Sequence, residues 1–185
     1  MKEYKEKKLW IKVQKGDEKS FAKLYDLYVD KIYRFVFLKT NNQGKAEEIV
    51  QDVFLKLWNI GQDENREVKN LAALLYQITR FAVIDYYRAQ NIDKTVVSID
   101  EIALADEPVM VEDTEKDIDI KYDIEKIKQA LVDLPELYKD IIIMKFIDEL
   151  TNREIALALN KEEGNVRVLA SRAIKKLREI LKENN

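Results

Sequence analysis

The sequence predicts an all-α protein made of two helical domains with an acidic linker between them. Only four glycines and two prolines occur in 185 residues, which is too few for the many turns of a β protein. Apolar residues recur every three or four positions over most of the chain, as they do in amphipathic helices. Hydrophobic residues make up 46% of the chain, so both domains have the material for a core.

Three helices are predicted in the first domain, residues 1–90. A turn is expected at 41–44 (NNQG) and a polar loop at 59–70, and Asn70 is a suitable N-cap for the helix that follows this loop. The helices are predicted from apolar residues at helical spacing over about 21–35, 46–58 and 71–88.

Residues 91–123 show no sustained period and are predicted to be an extended linker. The charges are uneven along the chain. Residues 1–90 hold 17 Lys/Arg against 13 Asp/Glu, residues 91–124 hold 3 against 11, and residues 125–185 hold 12 against 11. The net charge of −3 therefore does not argue against nucleic-acid binding, because the local field matters more than the total.

Four shorter helices are predicted in the second domain, residues 124–185. The first stops before Pro135, which is expected at the first position of the next helix. TNRE at 151–154 is a capping box that opens a third helix ending at Leu159, and 160–164 is a turn before the last helix. The second helix carries Leu137, Ile141, Met144 and Lys145.

The residue types that are missing exclude several kinds of chemistry. The chain has no Cys and no His, which rules out disulfides, thiol or imidazole catalysis and the usual zinc sites. We expect neither a metal nor a cofactor. No apolar run approaches a membrane span and no signal-peptide core is seen, so a cytoplasmic protein is expected.

The last helix has a basic face opposite its apolar face and follows a short helix and turn, the pattern of a helix-turn-helix. The N-terminal residues of such a second helix meet base edges in the major groove, and its later cations meet phosphates. A solvated basic helix end is the alternative, since cations also stabilise a last turn. The base-edge candidates are Asn165, Arg167, Val168, Ser171 and Arg172, and the phosphate candidates are Lys175, Lys176 and Arg178.

Val168 interrupts this otherwise polar face. It lies opposite the core stripe of the helix, so we expect the packed domain to leave it unburied. In a helix that enters the major groove, its methyl groups suit contact with the C5-methyl of thymine.

The third helix of the first domain mixes aromatic and basic residues, which suits unpaired bases and their phosphates. The alternative is that the rings belong to the core, as aromatics at helical spacing usually do, and this alternative is favoured for Phe81. The candidates for DNA contact are Tyr76, Arg80, Phe81, Tyr86, Tyr87 and Arg88.

The helix at 46–58 has an acidic polar side. It is interpreted either as a solvated face or as a docking surface for a basic helix of a partner, where charges set the register. Paired carboxylates also serve catalysis or metal binding, but no pocket-forming loop or glycine-rich turn completes such a site, so an enzyme is disfavoured. The side is formed by Glu47, Glu48, Gln51 and Asp52.

Together these stretches resemble the extracytoplasmic-function sigma factors, the small sigma-70 relatives with two structured domains. FAKLYDLYVDKIYRFVF and AEEIVQDVFLKLW resemble the first part of region two, and LAALLYQITRFAVIDYYR resembles its promoter-melting and −10-reading segment. LPELYKDIIIMKFIDELTNREIALALN, followed by EGNVRVLASRAIKKLRE, resembles the −35-reading helix-turn-helix of region four. The resemblance covers about residues 10–90 and 125–182.

The resemblance implies an RNA polymerase sigma factor that is not an enzyme and needs no cofactor. Its implied partners are core RNA polymerase (the coiled coil of the largest subunit, and the flap), promoter DNA and an anti-sigma protein. Loop 59–70 corresponds to the one that captures a flipped −10 base, and the linker would thread into basic channels of the polymerase. The coiled coil would be met by Glu48, Gln51 and Asp52.

Four positions depart from the family pattern. Phe81 stands where Asn is usual, so a hydrogen bond there is replaced by stacking or lost. Asn160 replaces a turn glycine, and Asn tolerates the left-handed conformation. Lys161 replaces an apolar anchor of that turn, and Leu169 replaces a frequent Arg of the −35 helix.

A stand-alone helix-turn-helix regulator is the alternative function, because the C-terminal domains of such activators resemble region four. The first domain discriminates between the two, since a stand-alone regulator needs neither a docking face nor a melting helix.

Overall fold

The computed structural model describes residues 2–63, 66–90 and 124–183. These residues are helical throughout apart from short connections, and no strand occurs among them, which confirms the predicted fold class. The chain divides into two compact units, the first built on the first four helices together with Leu157–Asn160 and the second on the other described residues. The predicted linker, residues 91–123, lies outside the described residues, so its extended form stays a prediction.

Four helices form the first unit, and their buried faces make its core. An aromatic pair, Phe35 and Tyr76, joins α2 to α4 with ring centroids 5.5 Å apart in an edge-to-face arrangement. Along α2 the inward residues Leu24, Tyr28 and Ile32 repeat every four positions, as the sequence pattern predicts. The helices are α1 (Lys2–Val13), α2 (Glu18–Thr40), α3 (Gln43–Gly61) and α4 (Leu71–Ala89).

Short polar side chains set where these helices begin. Asn70 accepts a hydrogen bond from the amide of Ala73 at 2.8 Å, which confirms it as the N-cap of α4. Asn42 caps α3 in the same way through the amide of Lys45, at 3.0 Å. The turn between α2 and α3 is therefore only two residues long, shorter than the predicted 41–44, because the cap places Gln43 and the residues after it in the helix.

Asp17 caps α2 by accepting from the amide of Lys19 at 3.1 Å and from the hydroxyl of Ser20 at 2.7 Å. The hydrogen bond from the Ser20 side chain holds the pKa of the Asp17 carboxyl below its ordinary value. The charged form of this carboxyl is thus the one that caps the helix.

The sequence pattern predicted no helix before residue 21, yet α1 is present. Its polar residues outnumber its apolar ones, so a periodic stripe is hard to recognise. Its inward residues Trp10 and Val13 are buried against the rest of the unit, and this packing supplies the stability that the local sequence lacks.

Packing of α6 and α5 against α8 dominates the second unit. Pro135 has an extended backbone and immediately precedes α6, so it occupies the cap position and not the predicted first helical position. Met144 and Lys145, predicted to continue the second helix, lie in a π-helical segment at its end. The elements are α5 (Ile124–Asp133), α6 (Glu136–Ile142), the π-helical segment (Ile143–Ile147), α7 (Asn152–Leu159) and α8 (Glu163–Glu183).

Two local structures define the α7–turn–α8 motif. Thr151 and Glu154 form the predicted capping box: the Thr151 amide donates to the Glu154 carboxylate at 2.8 Å, and the Glu154 amide donates to the Thr151 hydroxyl at 3.2 Å. Asn160 adopts the left-handed conformation, with φ of 52°, that its family position requires. The turn is shorter than the predicted 160–164, because the amide of Val166 already donates to the Glu162 carbonyl at 3.1 Å.

We predict that Gly61→Ala destabilises the first unit by about 1–3 kcal/mol. A β-carbon at Gly61 would lie 2.8 Å from Val13 Cγ1 and 3.3 Å from Trp10 Cη2, so α1 would have to move away from α3. Urea denaturation measures the change. Gly44→Ala is the control, because its β-carbon would meet nothing closer than Asn42 Oδ1 at 3.8 Å. A Gly61→Ala protein as stable as Gly44→Ala would contradict the close packing of α1.

Candidate nucleic-acid interface

The helix α8 has one face in the core and one free face, as its sequence predicted. The residues proposed to contact DNA lie on the other face, and they differ in exposure. Asn165, Arg167, Lys175, Lys176 and Arg178 are exposed, whereas Val168, Ser171 and Arg172 are half-buried. The buried side of the helix is formed by Val166, Leu169, Ala170, Ala173, Ile174 and Leu177.

Val168 is half-buried, which corrects the expectation that the domain leaves it uncovered. Ser171 and Arg172 follow it by three and four residues and are its neighbours on the helix surface, where they share its partial burial. Its methyl groups remain partly accessible beside two polar side chains, so its proposed thymine contact stays a prediction.

Two cations of α8 already have exposed carboxylate partners. Arg167 Nη2 lies 2.8 Å from Glu163 Oε1, and Lys176 Nζ lies 3.5 Å from Glu179 Oε2. Exposed pairs of this kind contribute little to stability. Both cations can therefore exchange their carboxylate for a phosphate at small cost.

A surface groove of about 560 Å³ lies at the start of α7. Lys145 lines it from the π-helical segment and donates to Asn152 Oδ1 at 2.8 Å, while Arg153 lines it from the first turn of α7. Neither cation was among the DNA candidates. The sequence pattern placed Lys145 on the second helix of this domain, beside apolar residues. It contained no signal that this side chain would lie beside α7.

The six candidates on α4 separate into buried and surface residues. Tyr76 has no exposed surface, Arg80 is buried, and Tyr87 is buried with its hydroxyl donating to the Lys39 carbonyl at 2.5 Å. These three residues are core residues, which corrects their assignment as DNA contacts. The physical reason is the helical period, which turns positions 76, 80 and 87 toward α2 and α3.

Phe81, Tyr86 and Arg88 remain at the surface of α4. Phe81 is 51% exposed, so the core interpretation favoured from the sequence is wrong for this ring. Tyr86 is half-buried and Arg88 is exposed. An exposed phenyl ring on an otherwise well-packed helix is available for stacking against a base.

The acidic side of α3 is exposed. Lys45 Nζ lies 2.5 Å from Glu48 Oε2, and the hydrogen bond to this carboxylate raises the pKa of Lys45 above its ordinary value. One turn further along, Leu55 is exposed on the same helix. The four residues assigned to this side, all exposed, are Glu47, Glu48, Gln51 and Asp52.

A groove of about 460 Å³ runs between α3 and α4 and joins the acidic side to the surface of α4. Glu48 and Asp52 line it from α3, and Asp85 and Tyr86 line it from α4. The acidic side of α3, predicted to dock on a partner, and the surface of α4, predicted to contact DNA, thus share one side of the first unit.

The loop that follows α3 is tied to α1. The side-chain amide of Gln14 donates to the carbonyl of Asp63 at 3.3 Å and to the carbonyl of Arg66 at 3.0 Å. Sequence reasoning missed Gln14, because no pattern connects a residue in the first turn of the chain with a loop some fifty positions later.

Two negative findings bear on the possible functions. Over the described ranges, no three His, Cys, Asp or Glu residues are placed to hold a metal ion. The helices of the same ranges include none that combines the length and the apolar character of a membrane span.

Two family models match the chain, sigma-70 region 2 at residues 24–92 and sigma-70 region 4 at residues 124–177. The ECF RNA polymerase sigma factor SigW of Bacillus subtilis (strain 168) is 30% identical over 184 residues, which cover 96% of this chain and 97% of SigW. SigM of the same strain is 26% identical over 156 residues, covering 84% of this chain and 91% of SigM.

Solved structures share the fold. CnrH, solved in complex with the cytosolic domain of CnrY, superposes with a TM-score of 0.71 at 17% identity and covers 98% of this chain and 99% of CnrH. The sigma factor RpoE from Bartonella quintana, solved with the anti-sigma factor NepR, has a TM-score of 0.64 at 23% identity and covers 90% of this chain and 99% of RpoE.

We predict that Tyr76→Ala and Phe81→Ala differ sharply in their effect on folding. Tyr76→Ala should lower the free energy of unfolding by about 3–5 kcal/mol, because it leaves a cavity beside Phe35. Phe81→Ala should change it by less than about 1 kcal/mol, because most of that ring is in water. Urea denaturation followed by circular dichroism measures both. Equal losses would show that Phe81 belongs to the core after all.

Proposed function

Since this chain belongs to the extracytoplasmic-function group of RNA polymerase sigma factors, we propose how its two units direct the polymerase to promoters. The first unit docks on core polymerase and melts the −10 element, and the second unit reads the −35 element. One observation carries this proposal. The same chain has an exposed acidic side on α3 and a capped helix-turn-helix whose outer face is basic.

Docking is proposed to use the exposed residues Glu48, Gln51 and Asp52 of α3. Glu48 and Asp52 lie one turn apart and give two negative charges beside the neutral amide of Gln51, which fits a basic helix such as one helix of a coiled coil. The coiled coil of the largest polymerase subunit is the proposed partner, with the flap as the partner of the second unit.

Melting is proposed to use the surface of α4. Phe81 offers a free aromatic face to an unpaired base, and Tyr86 and Arg88 lie further along the same helix with a second ring and a cation. Stacking at Phe81 is proposed to replace the hydrogen bond that the family resemblance implies for an Asn at this position. The buried residues Tyr76, Arg80 and Tyr87 support this surface from the core.

Reading of the −35 element is proposed to use the outer face of α8. The half-buried residues Val168, Ser171 and Arg172 lie in its first turns, where a recognition helix meets base edges. The exposed residues Asn165 and Arg167 are proposed to meet base edges as well, and phosphates are proposed to be met by the exposed residues Lys175, Lys176 and Arg178.

We also propose that the chain works in the cytoplasm, acts by binding and not by catalysis, and is held inactive by an anti-sigma protein. RpoE from Bartonella quintana shares its fold and was solved with such a protein, NepR. The exposed faces of α3 and α8 are the surfaces that an inhibitor would have to cover.

Transcription with purified components tests the proposal as a whole. The chain is mixed with core polymerase, and the holoenzyme is footprinted on genomic promoter fragments. Protection at both −10 and −35, with melting around −10, is expected. Protection by the chain alone, with no contribution from core polymerase, would favour a stand-alone regulator.

For docking, we predict that Asp52→Arg weakens binding to core polymerase by several kcal/mol, because it places like charges in contact at the interface. Binding is measured by fluorescence anisotropy of the labelled chain titrated with core. Asp26→Arg on α2 is the control, since Asp26 is exposed but lies off α3. If the Asp52→Arg protein bound core polymerase as tightly as the native and Asp26→Arg proteins, this docking face would be rejected.

For the −35 element, we predict that Val168→Ser relaxes the preference at one base pair by about 1 kcal/mol. Arg172→Ala should weaken binding more than Val168→Ser does, and should lower the magnitude of the salt slope by about 1 if Arg172 meets a phosphate. Binding-site selection with each holoenzyme measures the preference, and Lys182→Ala in the last turn of α8 is the control. An unchanged base preference in Val168→Ser would leave this valine without a reading role.

A further inference from the structure

We propose that α1 carries an additional promoter-binding surface, which contacts DNA phosphates beside the −10 element. The inference rests on the proposed function and extends it to a helix to which no role has been assigned. The surface is a set of five exposed lysines, which we call the α1 basic face: Lys5, Lys7, Lys8 and Lys12 of α1, and Lys15 in the turn that follows it.

The four lysines within α1 lie on one side of this helix. At about 100° per residue they occupy a continuous arc of roughly 160°. The two acids of the helix, Glu3 and Glu6, fall outside this arc, and Glu6 is buried on the core side together with Trp10 and Val13. The positive charge of the helix is therefore concentrated on its outer face, although the whole chain has a net charge of −3.

The composition of this face favours a phosphate backbone over a membrane surface. An interfacial membrane helix needs a continuous apolar face to insert, and the apolar side of α1 is already buried in the core. Only Tyr4 and Ile11 are apolar on the outer side, and Lys8 Nζ lies 5.3 Å from the centre of the Tyr4 ring. Ammonium groups on flexible stems suit successive phosphates, which they bind without reading sequence.

The position of α1 places its basic face beside the predicted −10 site. Gln14 holds the loop after α3 through the carbonyls of Asp63 and Arg66, and this is the loop that corresponds to the base-capturing one. On the helical wheel Gln14 falls next to Lys7 and Ile11, so the loop lies at one edge of the α1 basic face. On the proposed function, DNA bound at this loop therefore lies beside the α1 basic face.

Salt dependence distinguishes a phosphate contact from a structural effect. The slope of log K against log salt is negative, and each cation that neutralises a phosphate increases its magnitude by about 0.9 on duplex DNA and about 0.7 on a single strand. A lysine that merely keeps the helix soluble changes neither the slope nor the affinity.

The test uses the full chain in holoenzyme with the double substitution Lys8→Gln/Lys12→Gln, and promoter affinity is measured over a range of salt. We expect the magnitude of the slope to fall by about 1.4–1.8, and affinity at low salt to fall on the order of tenfold. Affinity for core polymerase should be unchanged. Lys8→Arg/Lys12→Arg, which keeps both charges, should retain the native slope.

The matched control is Lys19→Gln/Lys23→Gln on α2, which removes two exposed charges from the same unit. Equal slopes for both Gln pairs, with native promoter binding, would overturn the inference and leave the proposed function standing. Weaker core binding at an unchanged slope would overturn it in favour of a protein partner for α1. A native holoenzyme that bound no promoter would overturn the proposed function as well.

Discussion

Burial of one side of each helix determines which side chains remain free to meet a partner. In the first unit the edge-to-face contact of Phe35 with Tyr76 locks α4 against α2, and this sets the rotation of α4 about its axis. That rotation places Phe81 at the surface and Tyr87 inside. In the second unit the apolar stripe of α8 has the same effect, because it leaves the basic side of the helix outward.

Small polar contacts then set where each outer face begins. Asn70 starts α4, the box formed by Thr151 and Glu154 starts α7, and the left-handed Asn160 ends α7 within a short turn. A shift of one residue at any of these points would rotate the following helix by about 100°. Capping therefore stabilises each helix and also determines the direction in which the side chains proposed to contact DNA point.

Regular patterns in the sequence were enough for the helices that bury one clear stripe. The apolar spacing of α2, α3 and α8 located their cores, and the residues Asn70, Thr151 and Glu154 located helix starts. The pattern failed on α4, where apolar residues occur on all sides. With Phe81 and Tyr76 both aromatic, periodicity shows which residues share a face but not which face is turned inward.

The helix α1 shows the opposite failure. Its sequence is rich in charge and has too few apolar residues to display a period, so its helical state depends on Trp10 and Val13 packing beside Gly61. Its link to the loop after α3, through Gln14, joins residues about fifty positions apart. Local sequence contains no signal for such a contact.

The sequence by itself determined the all-helical class, the family, the capping residues Asn70, Thr151 and Glu154, and the concentration of acidic residues between the two domains. These properties depend on composition and on spacing within one helix, which a linear pattern records. The tertiary structure alone decided that Tyr76, Arg80 and Tyr87 are core residues, that Phe81 is not, and that α1 lies beside the loop. Those outcomes depend on which faces of different helices exclude water together, and that is a property of the packed core.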